Sequence, residues 1–170
     1  MMSAARLSLV SFAFLTLSAP ALSAAEEVPV KRNPSIQEFF NGTTKETMSR
    51  VDDFYAKDAL FRDPVGEIRG AANIRAYYAR LYERVISIRF EFESEIVQGD
   101  EHVVTWVMHL KHEAIEGGKE ISLPGASHVR FANGKAVYHR DYFDMGAFVY
   151  EHVPVLGAGV RYVKKKVAGH

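Results

Sequence analysis

Two short stretches carry residue types able to move a proton. In YHRDYFD, Tyr138–Asp144, a period of two puts His139, Asp141 and Phe143 on one strand face and Tyr138, Arg140 and Tyr142 on the other. Turned inward, an imidazole and a carboxylate two residues apart can hold each other or a water in a sheltered cavity, the ingredients of general acid-base chemistry. Turned outward, the same pair is a solvated sheet face. In FRDPVGEIRG, Phe61–Gly70, Asp63 stands between apolar Phe61 and Val65, just before a proline that fixes a turn. Asp before Pro commonly forms turns with no further role. A partly buried carboxylate holds its proton more tightly and can work as a base. Both readings of Asp63 stay open on the residues alone.

Other chemistries find little support. His102, His109, His112, His128 and His152 show no HExxH spacing, and His109 and His112 fall on opposite faces of a strand, so no metal site is expected. The chain has no GxGxxG, GxxxxGK[ST] or GxSxG element, and no cysteine to act as nucleophile or form a disulfide. No cofactor is expected. Lys plus Arg and Asp plus Glu number 21 each, so no overall field steers the protein to nucleic acid. The expected partner is a small apolar molecule.

The elements that must position these residues follow from periodicity. Residues 1–25 join Arg6, an apolar run from Leu7 to Leu17 and the small residues Ser23-Ala24-Ala25, which predicts a signal peptide cleaved near Ala25 and a secreted or periplasmic protein. That run is shorter than the ~20 residues that span a bilayer. Residues 26–34 (EEVPVKRNP) read as a linker, and the domain proper as 35–150. Ser35 and Glu38 have capping-box spacing ahead of Phe39 and Phe40, and a second helix is expected from Thr44 to Tyr55. Ala59–Phe61 reads as extended, Asp63–Gly66 as a turn, and Ala71–Val85 as a helix.

From Ile86 the period changes to two, with Ile86, Ile88, Phe90 and Phe92 on one face. Strands are expected at His102–Glu113, Glu120–Phe131, with a bulge or bend at Pro124-Gly125, and Lys135–Phe143 after the Asn133-Gly134 hairpin signal. Helices followed by a four-stranded meander is an α+β order. In the tail, 151–170, Val155, Leu156, Val160, Val163 and Val167 sit at helical spacing with Arg161, Lys164, Lys165 and Lys166 largely off that stripe. This basic amphipathic helix is expected to pack on the domain or a partner, with weak membrane-surface contact as the other reading.

The run YAKDALFRDPVGEIRGAANIRAYYARL, Tyr55–Leu81, resembles the nuclear-transport-factor-2-like superfamily, which includes SnoaL-like polyketide cyclases, ketosteroid isomerases and limonene-epoxide hydrolases. The resemblance implies a cone-shaped α+β barrel, with helices packed on a strongly curved antiparallel sheet enclosing an apolar pocket. Likeness to the isomerases carries the role of base onto Asp63 in its DPVG turn. It places Phe39 and Ser127, however, where those enzymes keep the tyrosine and protonated aspartate of their oxyanion hole, and Phe39 donates no hydrogen bond. Losing one such donor typically costs ~3 kcal/mol of transition-state stabilisation, so efficient steroid isomerisation is disfavoured. Likeness to the cyclases, with their H-x-D pair on the last strand, turns His139 and Asp141 to the pocket. DYFD is similar to the epoxide hydrolases, whose Asp-Arg-Asp set would need Arg140 on the same side as Asp141.

The resemblance thus implies Asp141, His139 and Asp63 as catalytic residues and Phe39, Tyr55, Tyr78, Trp106, Ser127 and Phe143 as the pocket wall. It also implies a homodimer through the open sheet face, with Arg89, Glu91, Trp106 and Arg130 on that surface. Two functions are expected to compete: acid-base catalysis of isomerase, cyclase or hydrolase type, and non-catalytic binding or carriage of an apolar ligand.

Overall fold

The computed structural model describes residues 34–169, so the expected leader at 1–25 and all but the last residue of the linker lie outside the described residues. Helix α1, Ile36–Gly42, starts at the reciprocal cap read from the sequence, with Glu38 N donating to Ser35 Oγ and Ser35 N donating to Glu38 Oε2. It buries Ile36, Phe39 and Phe40.

The helix expected over Thr44–Tyr55 is only α2, Arg50–Phe54. Ahead of it the threonine hydroxyls take the local backbone groups, with Thr47 Oγ1 donating to Gly42 O at 2.6 Å and Thr44 N donating to Thr47 Oγ1 at 2.8 Å. Such bonds compete with the helical ladder and hold this stretch in turns. Tyr55 leaves the helix and opens β1, Tyr55–Arg62, a strand longer than the expected Ala59–Phe61. Strand β2, Glu67–Arg69, pairs back on β1 across the Asp63–Gly66 turn. Helix α3, Ala71–Tyr82, stops short of Val85, which begins the next strand.

Strands β3 (Val85–Gln98), β4 (Glu101–His112), β5 (Glu120–Ala132) and β6 (Lys135–Phe143) form the antiparallel meander. Asn133 and Gly134 both have positive φ, as a two-residue hairpin of this type requires. Beyond the meander, β6 pairs in parallel with β1, with Phe61 opposite His139, giving one sheet in the order β2-β1-β6-β5-β4-β3. The fold is α+β, a cone-like arrangement with an open sheet.

Irregularities between Val85 and Ser87 and between Phe92 and Ser94 bend β3. The first also re-aims a side chain: Ile86, expected on the inner face, is 58% exposed, while Val85 lines the interior. At Pro124-Gly125 there is no bulge, because Val107–Pro124 and Trp106–Gly125 pair in unbroken register. Glycine is needed there for another reason, since a Cβ at 125 would lie 2.2 Å from the Trp106 ring.

The even-numbered residues of β4 point inward, so Val104, Trp106, Met108 and Leu110 join the core under α1 and α3. Trp106 is therefore 3% exposed and does not lie with Arg89, Glu91 and Arg130 on the outer face. After β6 come α4, Met145–Phe148, a 3-10 turn at Tyr150–His152, and α5, Pro154–Ala168. The polar side of α5 holds it down: Lys164 Nζ meets Asp144 Oδ2 at 2.9 Å and Glu151 Oε1 at 2.5 Å, and Arg161 donates to Glu151 O. Leu156, Val163 and Val167 of its apolar stripe stay exposed. Among the described residues no helix is long and apolar enough to cross a membrane.

Candidate active site

Between α1, α3 and the concave sheet lies a cavity of about 170 Å³. Aromatic side chains dominate its wall, among them Phe39, Phe40, Tyr78, Phe90, Trp106 and Phe143. Two carboxylates break it, Asp63 and Asp141. Their proximity comes from the parallel pairing of β1 with β6. Phe61 faces His139 and Arg62 faces Arg140, so carrying the register one step on sets Asp63 level with Asp141.

Asp141 is held from behind by two donors. His139 Nε2 stands 2.8 Å from Asp141 Oδ1, and Ser127, opposite Asp141 in the β5–β6 ladder, donates its hydroxyl to the same oxygen at 2.5 Å. Ser127 Oγ in turn accepts from Trp106 Nε1 at 2.9 Å. On the far side of the imidazole, His139 Nδ1 meets the Tyr55 hydroxyl at 2.5 Å, and Tyr55 meets the Tyr78 hydroxyl at 3.4 Å.

One assignment of protons satisfies this chain with Asp141 ionised. Tyr55 donates to His139 Nδ1, and the neutral imidazole donates from Nε2 to Asp141. His139 has no exposed surface and is ringed by Phe40, Phe54 and Phe61, so its two nitrogens have only these partners to satisfy them. Among the described residues no side chain bonds Asp141 Oδ2, and Asp141 lines the cavity.

Asp63 is held differently. Its Oδ1 accepts from the backbone N–H of Val65 at 2.8 Å and of Gly66 at 2.9 Å, and its Oδ2 accepts from the Tyr77 hydroxyl. The turn-forming and cavity-lining roles therefore belong to one carboxylate. Burial, then the hydrogen bond to Asp63, push the Tyr77 phenol above its ordinary pKa. Burial also raises Tyr55, Tyr78 and Tyr82, with the Asp141 charge adding to each. Burial, then the Arg84 charge, push the pKa of the cavity residue His112 down.

The residues expected at the site divide into two layers. Asp63, Asp141, Phe39, Tyr78, Trp106 and Phe143 line the cavity. His139, Tyr55 and Ser127 lie one layer back, where they meet Asp141 or each other rather than the cavity. Arg140 is exposed on the other strand face, away from Asp141, so no Asp-Arg-Asp set forms. Tyr77, Tyr82 and Phe40 also line the cavity and were not expected there. For Tyr77 and Tyr82 the signal lay in the helical spacing of Tyr77, Tyr78, Leu81 and Tyr82, which marks a buried face without telling core from cavity wall. Among the described residues no group of three or more His, Asp or Glu side chains is placed to hold a metal ion.

The described residues thus form an α+β cone whose apolar cavity is interrupted by two supported carboxylates. The chain belongs to the SnoaL-like domain family, whose model matches residues 36–139. Asp141 falls just beyond that match. None of the curated proteins compared with the chain matches it. Among solved structures, it is similar to a Shewanella denitrificans protein described as a SnoaL-like polyketide cyclase, at 20% identity over 69% of this chain and 92% of that one, with a TM-score of 0.59. It is also similar to a Catenulispora acidiphila protein of ketosteroid isomerase-like fold in complex with trimethylamine, at 16% identity over 69% and 88% of the two chains and a TM-score of 0.58. An NTF2-like protein of unknown function from Burkholderia pseudomallei matches at 20% identity over 62% and 84%, with a TM-score of 0.55. At these identities the likeness establishes the fold alone.

Proposed function

We propose that this protein is an acid-base catalyst of isomerase, cyclase or hydrolase type acting on a small apolar molecule. The observation that carries this reading is the polarity of Asp141. One oxygen is fixed by Ser127 and His139, the other has no side-chain partner among the described residues, and the residue lines the cavity. A carboxylate so oriented costs little reorganisation when it takes a proton from a bound molecule. His139 stabilises the ionised carboxylate before the transfer and, by its fixed ring, returns Asp141 to the same position afterwards. Asp63, on the neighbouring strand end, is the second group able to accept or return a proton.

The test is hydrogen–deuterium exchange at acidic C–H positions of a panel of small cyclic ketones and imines in D2O, followed by proton NMR. The expected result is protein-dependent exchange that falls ~100-fold or more in Asp141→Asn. Exchange equal in Asp141→Asn and the unmodified protein overturns the reading. Non-catalytic carriage of an apolar ligand is the second reading, favoured by Phe39, a cavity residue that offers no donor to a developing oxyanion. Tight binding without exchange supports it.

A further inference from the structure

We infer that the molecule bound in this cavity carries a positively charged nitrogen, held between the Asp63 and Asp141 carboxylates and the Tyr82 hydroxyl. The inference rests on reading this cavity as the ligand site and adds the charge of the ligand.

Three observations lead to it. First, the charge of the wall is one-sided. Asp63 and Asp141 are its ionisable acids, and no lysine or arginine lines it. Arg80, over the Tyr77 ring at 6.0 Å, and Arg84, whose charge acts on His112, both lie outside the lining. His112 accepts at Nδ1 from the backbone N–H of Ala114 at 3.1 Å, as a neutral imidazole does, and His139 stands behind Asp141. Two carboxylates on an apolar wall repel an anion and are costly to desolvate without a counter-charge. A cationic ligand supplies that charge.

Second, both carboxylates are furnished with donors only. Two amides and a phenol serve Asp63, and a hydroxyl and an imidazole serve Asp141. None of these donors is a lysine or an arginine, so among the described residues neither carboxylate meets a cation of that kind.

Third, the Tyr82 side chain is 6% exposed and lines the cavity, and among the described residues no side chain or backbone group hydrogen-bonds its hydroxyl. The oxygen is not among the buried polar atoms that lack a partner, so it keeps contact with open space, and a ligand in the cavity that Tyr82 lines can offer it an N–H to accept. Phe40, Phe90 and Trp106 line the same cavity and suit an apolar body, and aromatic rings can also attract a cation.

A positive nitrogen also changes what the missing donor at Phe39 means. Removing a proton from the carbon next to a protonated imine leaves a neutral enamine, with the proton on Asp141. No oxyanion forms in that step, and none needs to be stabilised.

The test is calorimetric titration of the full chain with three probes of one shape: benzylammonium, benzyl alcohol and benzoate. Benzylammonium is expected to bind at least 10-fold more tightly than benzyl alcohol, with benzoate weakest. Asp63→Asn, Asp141→Asn and Tyr82→Phe are each expected to weaken benzylammonium at least 3-fold and leave benzyl alcohol within 2-fold. Circular dichroism of each variant confirms that it is folded. Equal binding of the cation and the alcohol, no binding of the cation, or variants that bind it unchanged each overturn the inference. These failures are distinct from failure of the catalytic reading. A protein that binds benzylammonium and exchanges no C–H proton keeps the ligand charge and loses the catalysis, and one that exchanges ketone protons but prefers the alcohol does the reverse.

Discussion

The Tyr55 hydroxyl stands 2.5 Å from His139 Nδ1, joining two fully buried side chains on the parallel strands β1 and β6. The ring is oriented with Nε2 at Asp141, and a hydroxyl that donates to Nδ1 leaves the proton on Nε2, toward the carboxylate. Tyr55→Phe removes the hydroxyl and leaves an imidazole nitrogen buried without a partner, which costs ~1–3 kcal/mol of stability. The expected outcome is a lower melting temperature together with a changed nitrogen-15 shift of His139 Nδ1 in NMR spectra. A purely steric role for Tyr55 would lower the melting temperature and leave the tautomer as it was.

Asp63 has two duties, and two substitutions separate them. Asp63→Asn keeps an oxygen for the Val65 and Gly66 amides and removes the charge, so thermal stability is expected to change by less than ~1 kcal/mol. Asp63→Ala strips both amides and the Tyr77 hydroxyl of their acceptor and is expected to cost ~1–3 kcal/mol. Equal losses in the two variants, measured by chemical denaturation, would show that charge rather than turn geometry holds this corner.

The sequence disclosed more of the strands than of the helices, for physical reasons. Alternation along β4, β5 and β6 is a property of each strand alone, and it placed Asp141 and Arg140 on opposite faces. The α2 region failed because Thr44 and Thr47 hydroxyls bond local backbone groups, a competition that apolar spacing does not register. Ile86 was turned outward by a bulge that depends on its pairing partner, not on its own type. The level placement of Asp63 and Asp141 was hidden for a similar reason. It follows from parallel pairing between the first strand and the last, and no local pattern announces which distant strands meet.

Gly125 tests how tightly the cavity wall is packed. Its pro-Cβ position lies 2.2 to 2.7 Å from three Trp106 ring atoms, while Trp106 Nε1 is tied to Ser127 and through it to Asp141. Gly125→Ala must move the ring, so overpacking is expected to cost ~1–3 kcal/mol. Because the chain has one tryptophan, its fluorescence reports the displacement directly. An unchanged emission maximum and melting temperature would show that the ring has room to yield.

Alkaline titration tests the buried phenols together. Tyr55, Tyr77, Tyr78 and Tyr82, four of the eight tyrosines in the chain, have pKa values raised by burial first. An unfolded phenol loses its proton near pH ~10. Since folding raises these values, the stability they contribute is fully present below pH ~10 and is lost as pH climbs through the higher folded values. Two outcomes follow for the folded protein. Tyrosinate absorbance at pH ~10 should be the same in Tyr82→Phe as in the unmodified chain, because Tyr82 has not ionised there. Above that pH, unfolding and the remaining tyrosinate signal should rise in one cooperative step, with circular dichroism and absorbance superimposing. A gradual absorbance rise while the circular dichroism holds would mean that the phenols ionise inside the intact cone, and that the cavity admits water freely.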